Sequence, residues 1–226
     1  MTNRQRRTRS TGRSKAGARG RARGVLTRRG PGPAILGAAG AVLVAAIIAV
    51  AATGGNDGEP TERTARLTIT GVELPAYEEG RDPALGLAAP ALEGESFEGS
   101  PETIVDDGRA KAIVFLAHWC PHCQREVPLI QDWIDVHGRP ANVDLYSVAT
   151  SNDPAQPNYP PDEWLRREGW TVPVLVDDSS GSAATAYGLT AFPYFVFVDA
   201  EGKVVARATG ELTVEQLETH LAQVAG

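Results

Sequence analysis

The chain has 226 residues, 42% of them hydrophobic, with 22 Lys+Arg against 28 Asp+Glu and a formal charge of −6. Its two cysteines, Cys120 and Cys123, stand two residues apart. So short a loop restrains little of the unfolded chain, which excludes a disulfide-stapled fold. The charge is also divided along the sequence. Residues 1–30 hold eleven Lys/Arg and no acid, and the other eleven basic residues against all 28 acids leave residues 31–226 at −17.

From the N-terminus, residues 1–33 form a basic arm without aromatic residues. Nucleic-acid arms interleave aromatic and basic side chains, so this arm is not assigned to nucleic acid. Residues 34–52 form a run of 19 apolar residues without a charge. That is long enough to cross a bilayer. A basic flank is retained in the cytoplasm, which places the C-terminal part outside it. The run reads as a transmembrane signal-anchor. The alternative is a cleaved signal peptide, because Ala49-Val50-Ala51 resembles a small-residue cleavage site. Residues 53–70 read as a linker and 71–226 as one domain, large enough for its own core.

Within that domain, Leu92 to Phe97 reads as a small hairpin with Glu93-Gly94 at its bend. Lys111 to Ala117 is a short apolar run, the pattern of a strand covered on both faces. Trp119-Cys120-Pro121-His122-Cys123 follows at once, and helical spacing continues through Val127, Ile130, Ile134 and His137 to a stop at Gly138. Val143 to Ala149 is the next strand. Pro161 opens a short helix that ends near Gly169, with Trp164 and Trp170 as packing residues. Val172 to Val176 is a strand at an edge, given Pro173. Ser182 to Tyr187 is a short helix. Tyr194 to Val198 and Val204 to Thr209 are strands joined by a tight turn at Asp199 to Gly202. The last helix begins at Thr213, with Gln216 at capping-box spacing. The order implies an α/β fold with a mixed sheet and helices on both faces. Two thiols one turn apart at the start of a helix, directly after a strand, form a redox couple.

Three features together resemble the thioredoxin superfamily: the strand-Trp-Cys-Pro-His-Cys-helix unit, Ala191-Phe192-Pro193-Tyr194 before the closing hairpin, and the hairpin-helix ending. The leading Gly86 to Leu92, the helix start Cys123-Gln124-Arg125-Glu126-Val127-Pro128 and the insert near residues 160–169 resemble its exported TlpA/ResA-like branch. The resemblance implies a thioredoxin-like fold with an N-terminal hairpin and a helical insert. It also implies a protein-disulfide oxidoreductase of the extracytoplasmic face, without a cofactor, since the sulfurs hold the electrons. Its partners would be protein thiols and disulfides, together with a recycling partner, either a membrane electron carrier or another thiol protein.

Residue by residue, Cys120 at the helix N-terminus is expected to be the exposed attacking sulfur, because unpaired N–H groups favour an anion there. A charged His122 would support it. Cys123 would be the buried resolving sulfur. Where cytosolic-type thioredoxins carry an Asp six residues before the first cysteine, this chain has Val114. The proton acceptor for Cys123 would then be Glu126, one helical turn on; otherwise Glu126 is a solvated helix-face residue. Pro193 is expected to be cis and to face the cysteines, with Phe192 offering its backbone to an extended substrate. Trp119 is either a substrate platform or a packing residue, and His118 either tunes the site or is solvated. The overall resemblance leans to a reductant. Pro-His between the cysteines resembles strongly oxidising DsbA-like proteins and keeps an oxidant role open. A second class is a metal site of Cys120, Cys123, His122 and His118.

Overall fold

The computed structural model describes residues 66–226. The basic arm, the apolar run 34–52 and residues 53–65 lie outside the described residues. Among the described residues no helix is long and apolar enough to cross a membrane.

Two sheets form the domain. The smaller is antiparallel, with β1 (Thr68–Thr70), β2 (Ala91–Glu95) and β3 (Pro101–Ile104) in the order β1-β2-β3. The larger consists of β4 (Ala110–Leu116), β5 (Val143–Ala149), β6 (Val174–Val176), β7 (Tyr194–Val198) and β8 (Val204–Thr209), ordered β6-β5-β4-β7-β8. β4, β5 and β6 run parallel, while β7 and β8 are antiparallel to their neighbours, so the sheet is mixed as expected. The parallel pair β4–β5 needs a crossover, and α1 (Pro121–His137) supplies it. The other helices are α2 (Pro161–Arg167), α3 (Ser182–Ala186) and α4 (Val214–Val224).

Every residue of β4 is buried, because the sheet is covered on both faces. Ala112, Val114 and Leu116 enter one core with α1, α4, Trp164 and Leu165. Ile113 and Phe115 enter the other with α3, Tyr187, Tyr194, Leu92 and Ile104. The dithiol sits in the first core, at the C-terminal end of the central strand. Thr213 caps α4 with both bonds of the predicted capping box.

Two expectations are corrected. Glu93-Gly94 is not a bend but the interior of β2. The turn lies further on, where the Ser96 hydroxyl accepts from the N–H groups of Glu98 and Ser100. Gly94 is there for close approach: a Cβ would stand 3.2 Å from Leu175 Cγ. Thr68–Thr70, placed in the linker by their composition, form β1 and pair with Ala91 to Glu93. Three residues are too short to show a period, and pairing rather than burial defines them.

Candidate active site

Cys120 is the N-cap of α1 with extended backbone, and Pro121 fills the first helical position, where its missing N–H costs nothing. Gln124 N–H returns to Cys120 O at 3.1 Å. The N–H groups of His122 and Cys123 therefore have no acceptor inside the helix and favour negative charge beside them. Both sulfurs are free thiols.

Cys120 is only 6% exposed, a correction to the expected open thiol, and Cys123 is wholly buried. Cys120 Sγ lies 4.0 Å from Phe192 O. The Phe192–Pro193 peptide is cis, as expected. Trp119 stands edge-on to Phe192 with ring centroids 5.8 Å apart. Both rings remain partly exposed and pack on the core that contains the cysteines. Trp119 therefore packs on the core while staying partly exposed. Its indole N–H donates to Ser151 O at 2.9 Å.

The thiol of Cys123 is pushed well above its ordinary pKa by burial, with a backbone hydrogen bond at Ala117 opposing and the nearby Cys120 and Glu126 reinforcing. Removing its proton needs a base. Glu126 is wholly buried, not a solvated helix-face residue. Its carboxylate accepts from Leu212 N–H at 3.1 and 3.3 Å. Burial raises it to about 7, the Leu212 bond opposing and the charge of Glu211 adding. A carboxyl poised there can carry a proton in either direction near neutral pH.

His122 is exposed, and its Nδ1 stands 2.6 Å from Glu211 Oε1. Arg125 Nε meets both Glu211 oxygens at 3.0 and 3.1 Å, and Arg125 Nη2 lies 2.9 Å from His122 Nδ1. Arg125 first and His122 second hold Glu211 down at about 2. Glu211 was not foreseen from sequence. It lies 89 positions from His122 and arrives on the loop between β8 and α4. Only its place between a strand end and a helix cap marks it in the sequence.

His118 is not solvated but 1% exposed. Its Nδ1 lies 2.7 Å from Pro157 O, and its Nε2 accepts from Asp153 N–H at 3.2 Å. The ring therefore pins the 151–160 loop behind Trp119. With both nitrogens engaged it is no ligand, and among the described residues no group of three or more His, Cys, Asp or Glu is placed to hold a metal ion. The metal reading loses its ligand set.

A thioredoxin-like sheet carrying a dithiol on a helix N-terminus, with a cis proline against it, defines a thiol-disulfide oxidoreductase. The chain belongs to the Redoxin family, whose model matches residues 86–221. The thiol-disulfide oxidoreductase ResA of Geobacillus thermodenitrificans is 26% identical over 142 residues, 62% of this chain and 78% of that protein. The sporulation thiol-disulfide oxidoreductase A of Bacillus subtilis is 26% identical over 124 residues, 55% of this chain and 73% of the relative. The fold is that of a solved thioredoxin-family thiol:disulfide interchange protein from Chlorobium tepidum. The TM-score is 0.53 at 20% identity, covering 66% of this chain and all of that one. Together they make it a TlpA/ResA-like member of the thioredoxin superfamily.

Proposed function

We propose that the chain is a membrane-anchored, extracytoplasmic protein-disulfide reductase that works through Cys120 and Cys123. One observation carries the roles of the two sulfurs. The sulfur at the helix N-terminus is the less buried of the pair and faces the cis-proline loop, while its partner is sealed in beside a buried carboxyl.

The Cys120 thiolate attacks a substrate disulfide. A Cys120–substrate bond forms, and the departing substrate sulfur takes up a proton. The extended substrate segment lies along the backbone at Phe192, with Trp119 and Phe192 as its apolar walls. Glu126 then takes the proton of Cys123. The resulting thiolate attacks Cys120 Sγ, closes the enzyme disulfide and releases the second substrate thiol. The substrate gains two electrons and two protons. A recycling partner, a membrane carrier or a further thiol protein, must return them. The apolar run 34–52 after a basic arm supports anchoring with the domain outside the cytoplasm. The TlpA/ResA-like resemblance of the motifs leans to the reducing direction.

The test is a Cys123→Ala variant of the full chain, together with equilibration of the wild type against glutathione. Mixed disulfides should accumulate on Cys120, and the potential should fall below about −200 mV. Adducts recovered only through Cys123 in a Cys120→Ala variant would reverse the roles. A potential near −120 mV, the value of strong oxidants, would reverse the direction.

A further inference from the structure

The sequence between the cysteines and the proposed direction pull apart, and the rim of the site carries a group that reconciles them. Two basic side chains stand within the first turn and a half of α1, Arg125 and His122, the second a cation only when its ring is protonated. Each can support a negative sulfur at Cys120, and Arg125 lies within its field. Neither is free to do so. One carboxylate, Glu211, binds both: 2.6 Å from His122 Nδ1, and 3.0, 3.1 and 2.5 Å from the Nε and Nη2 atoms of Arg125. The three side chains are 57%, 55% and 37% exposed for His122, Arg125 and Glu211, so the cluster forms on the surface and contributes little to holding the fold.

We propose that Glu211 is a positioning residue that draws the His122 and Arg125 charges away from Cys120. It thereby keeps the Cys120–Cys123 couple more reducing than a Cys-Pro-His-Cys sequence would otherwise be. The inference rests on the dithiol chemistry proposed above and adds the group that sets its poise. Charge bookkeeping gives the sign. Stabilising the Cys120 thiolate stabilises the reduced enzyme and makes its disulfide a stronger oxidant. A carboxylate that offsets the charge of Arg125, and of His122 when its ring is protonated, does the opposite.

The step measured is exchange with glutathione: the enzyme dithiol and one glutathione disulfide give the enzyme disulfide and two glutathione thiols. Glu211→Gln, in the full chain, keeps the shape and removes the charge. It should move this equilibrium toward the dithiol about three- to fivefold, the scale of an exposed ion-pair interaction. In a His122→Ala/Arg125→Gln background the same substitution should move it less than about twofold, since nothing remains for Glu211 to neutralise. Thermal unfolding of each variant checks that the fold is intact. An unchanged equilibrium in Glu211→Gln, or a shift toward the disulfide, overturns the proposal. So does an equal shift in both backgrounds, which would assign Glu211 a direct effect on the sulfur. If the wild type does not exchange electrons with glutathione through Cys120 and Cys123, the dithiol reading itself falls, a separate result.

Discussion

Glu126 serves two demands that conflict. A carboxyl buried to 0% exposure and raised to about 7 is poorly stabilised as an anion. Because its folded value lies above the unfolded one, the folded state holds the proton more tightly. Its stability is therefore full below the ordinary carboxylate value of about 4.3 and falls as pH climbs through about 7, by on the order of 3 kcal/mol. Glu126→Gln removes that charge and still offers an oxygen to Leu212 N–H. Urea unfolding should show the variant more stable than the wild type at alkaline pH, with the gap closing in acid. Activity should move the other way. Release of substrate from the Cys120 mixed disulfide should rise through about pH 7 in the wild type and lose that step in the variant. A variant that releases substrate with the wild-type pH profile would remove Glu126 from the proton path. The candidacy of Glu126 was legible from its spacing to Cys123. Its burial was not, because the cover comes from Leu212, 86 positions away.

Among the elements, those that alternate or run apolar between turn residues could be read directly. β5, β7 and β8 have their predicted ends, and β4 is offset by one residue. β4, β5 and β7 carry enough buried apolar residues for the pattern to dominate, while β8 is marked by the tight turn that joins it to β7. The elements that escaped are short: β1 has three residues, and the β2–β3 hairpin buries only Leu92 and Ile104 and turns at Ser96. The rim of the site escaped for a related reason: Glu211 belongs to a loop whose course depends on both β8 and α4. The helical insert was legible through its prolines and tryptophans, and Trp164, 2% exposed, locks α2 to the core behind α1. Trp164→Ala should cost about 3–5 kcal/mol of unfolding free energy, the scale of a large aromatic truncation in a packed core. A loss below about 1 kcal/mol in denaturant titration would mean that the insert folds independently of the site it backs.

Across the whole molecule, residues 72–90 form a strap with little regular structure that closes the second core. Backbone bonds fasten it: Leu74 N–H to Ala186 O, Tyr77 N–H to Gly188 O, Gly86 N–H to Val204 O and Ala89 N–H to Gly202 O. Gly188 takes a left-handed backbone, and a Cβ there would collide with the Pro75 carbonyl, so the strap crosses only where a side chain is missing. The clasp is ionic. Arg207 on β8, with no side-chain exposure, grips Asp82 through Nε and Nη2 while its Nη1 donates to Pro75 O and Tyr187 O at 2.9 and 3.0 Å. Burial alone would raise Asp82, but the Arg207 bonds outweigh it and hold the carboxyl below its ordinary value. A depressed carboxyl contributes stability above the ordinary carboxylate range and loses it as pH falls through the folded value. Asp82→Asn should therefore be clearly less stable than the wild type at neutral pH, with the difference shrinking toward strongly acid pH as the wild-type carboxyl is protonated. Asp82→Ala, which strands a buried guanidinium, should cost about 3–5 kcal/mol, and the double change Asp82→Leu/Arg207→Met should recover much of it. The glutathione equilibrium of all three should stay at the wild-type value, because the cysteines pack in the opposite core. A shift in that equilibrium would mean that the strap and the dithiol share one mechanical unit across the central sheet.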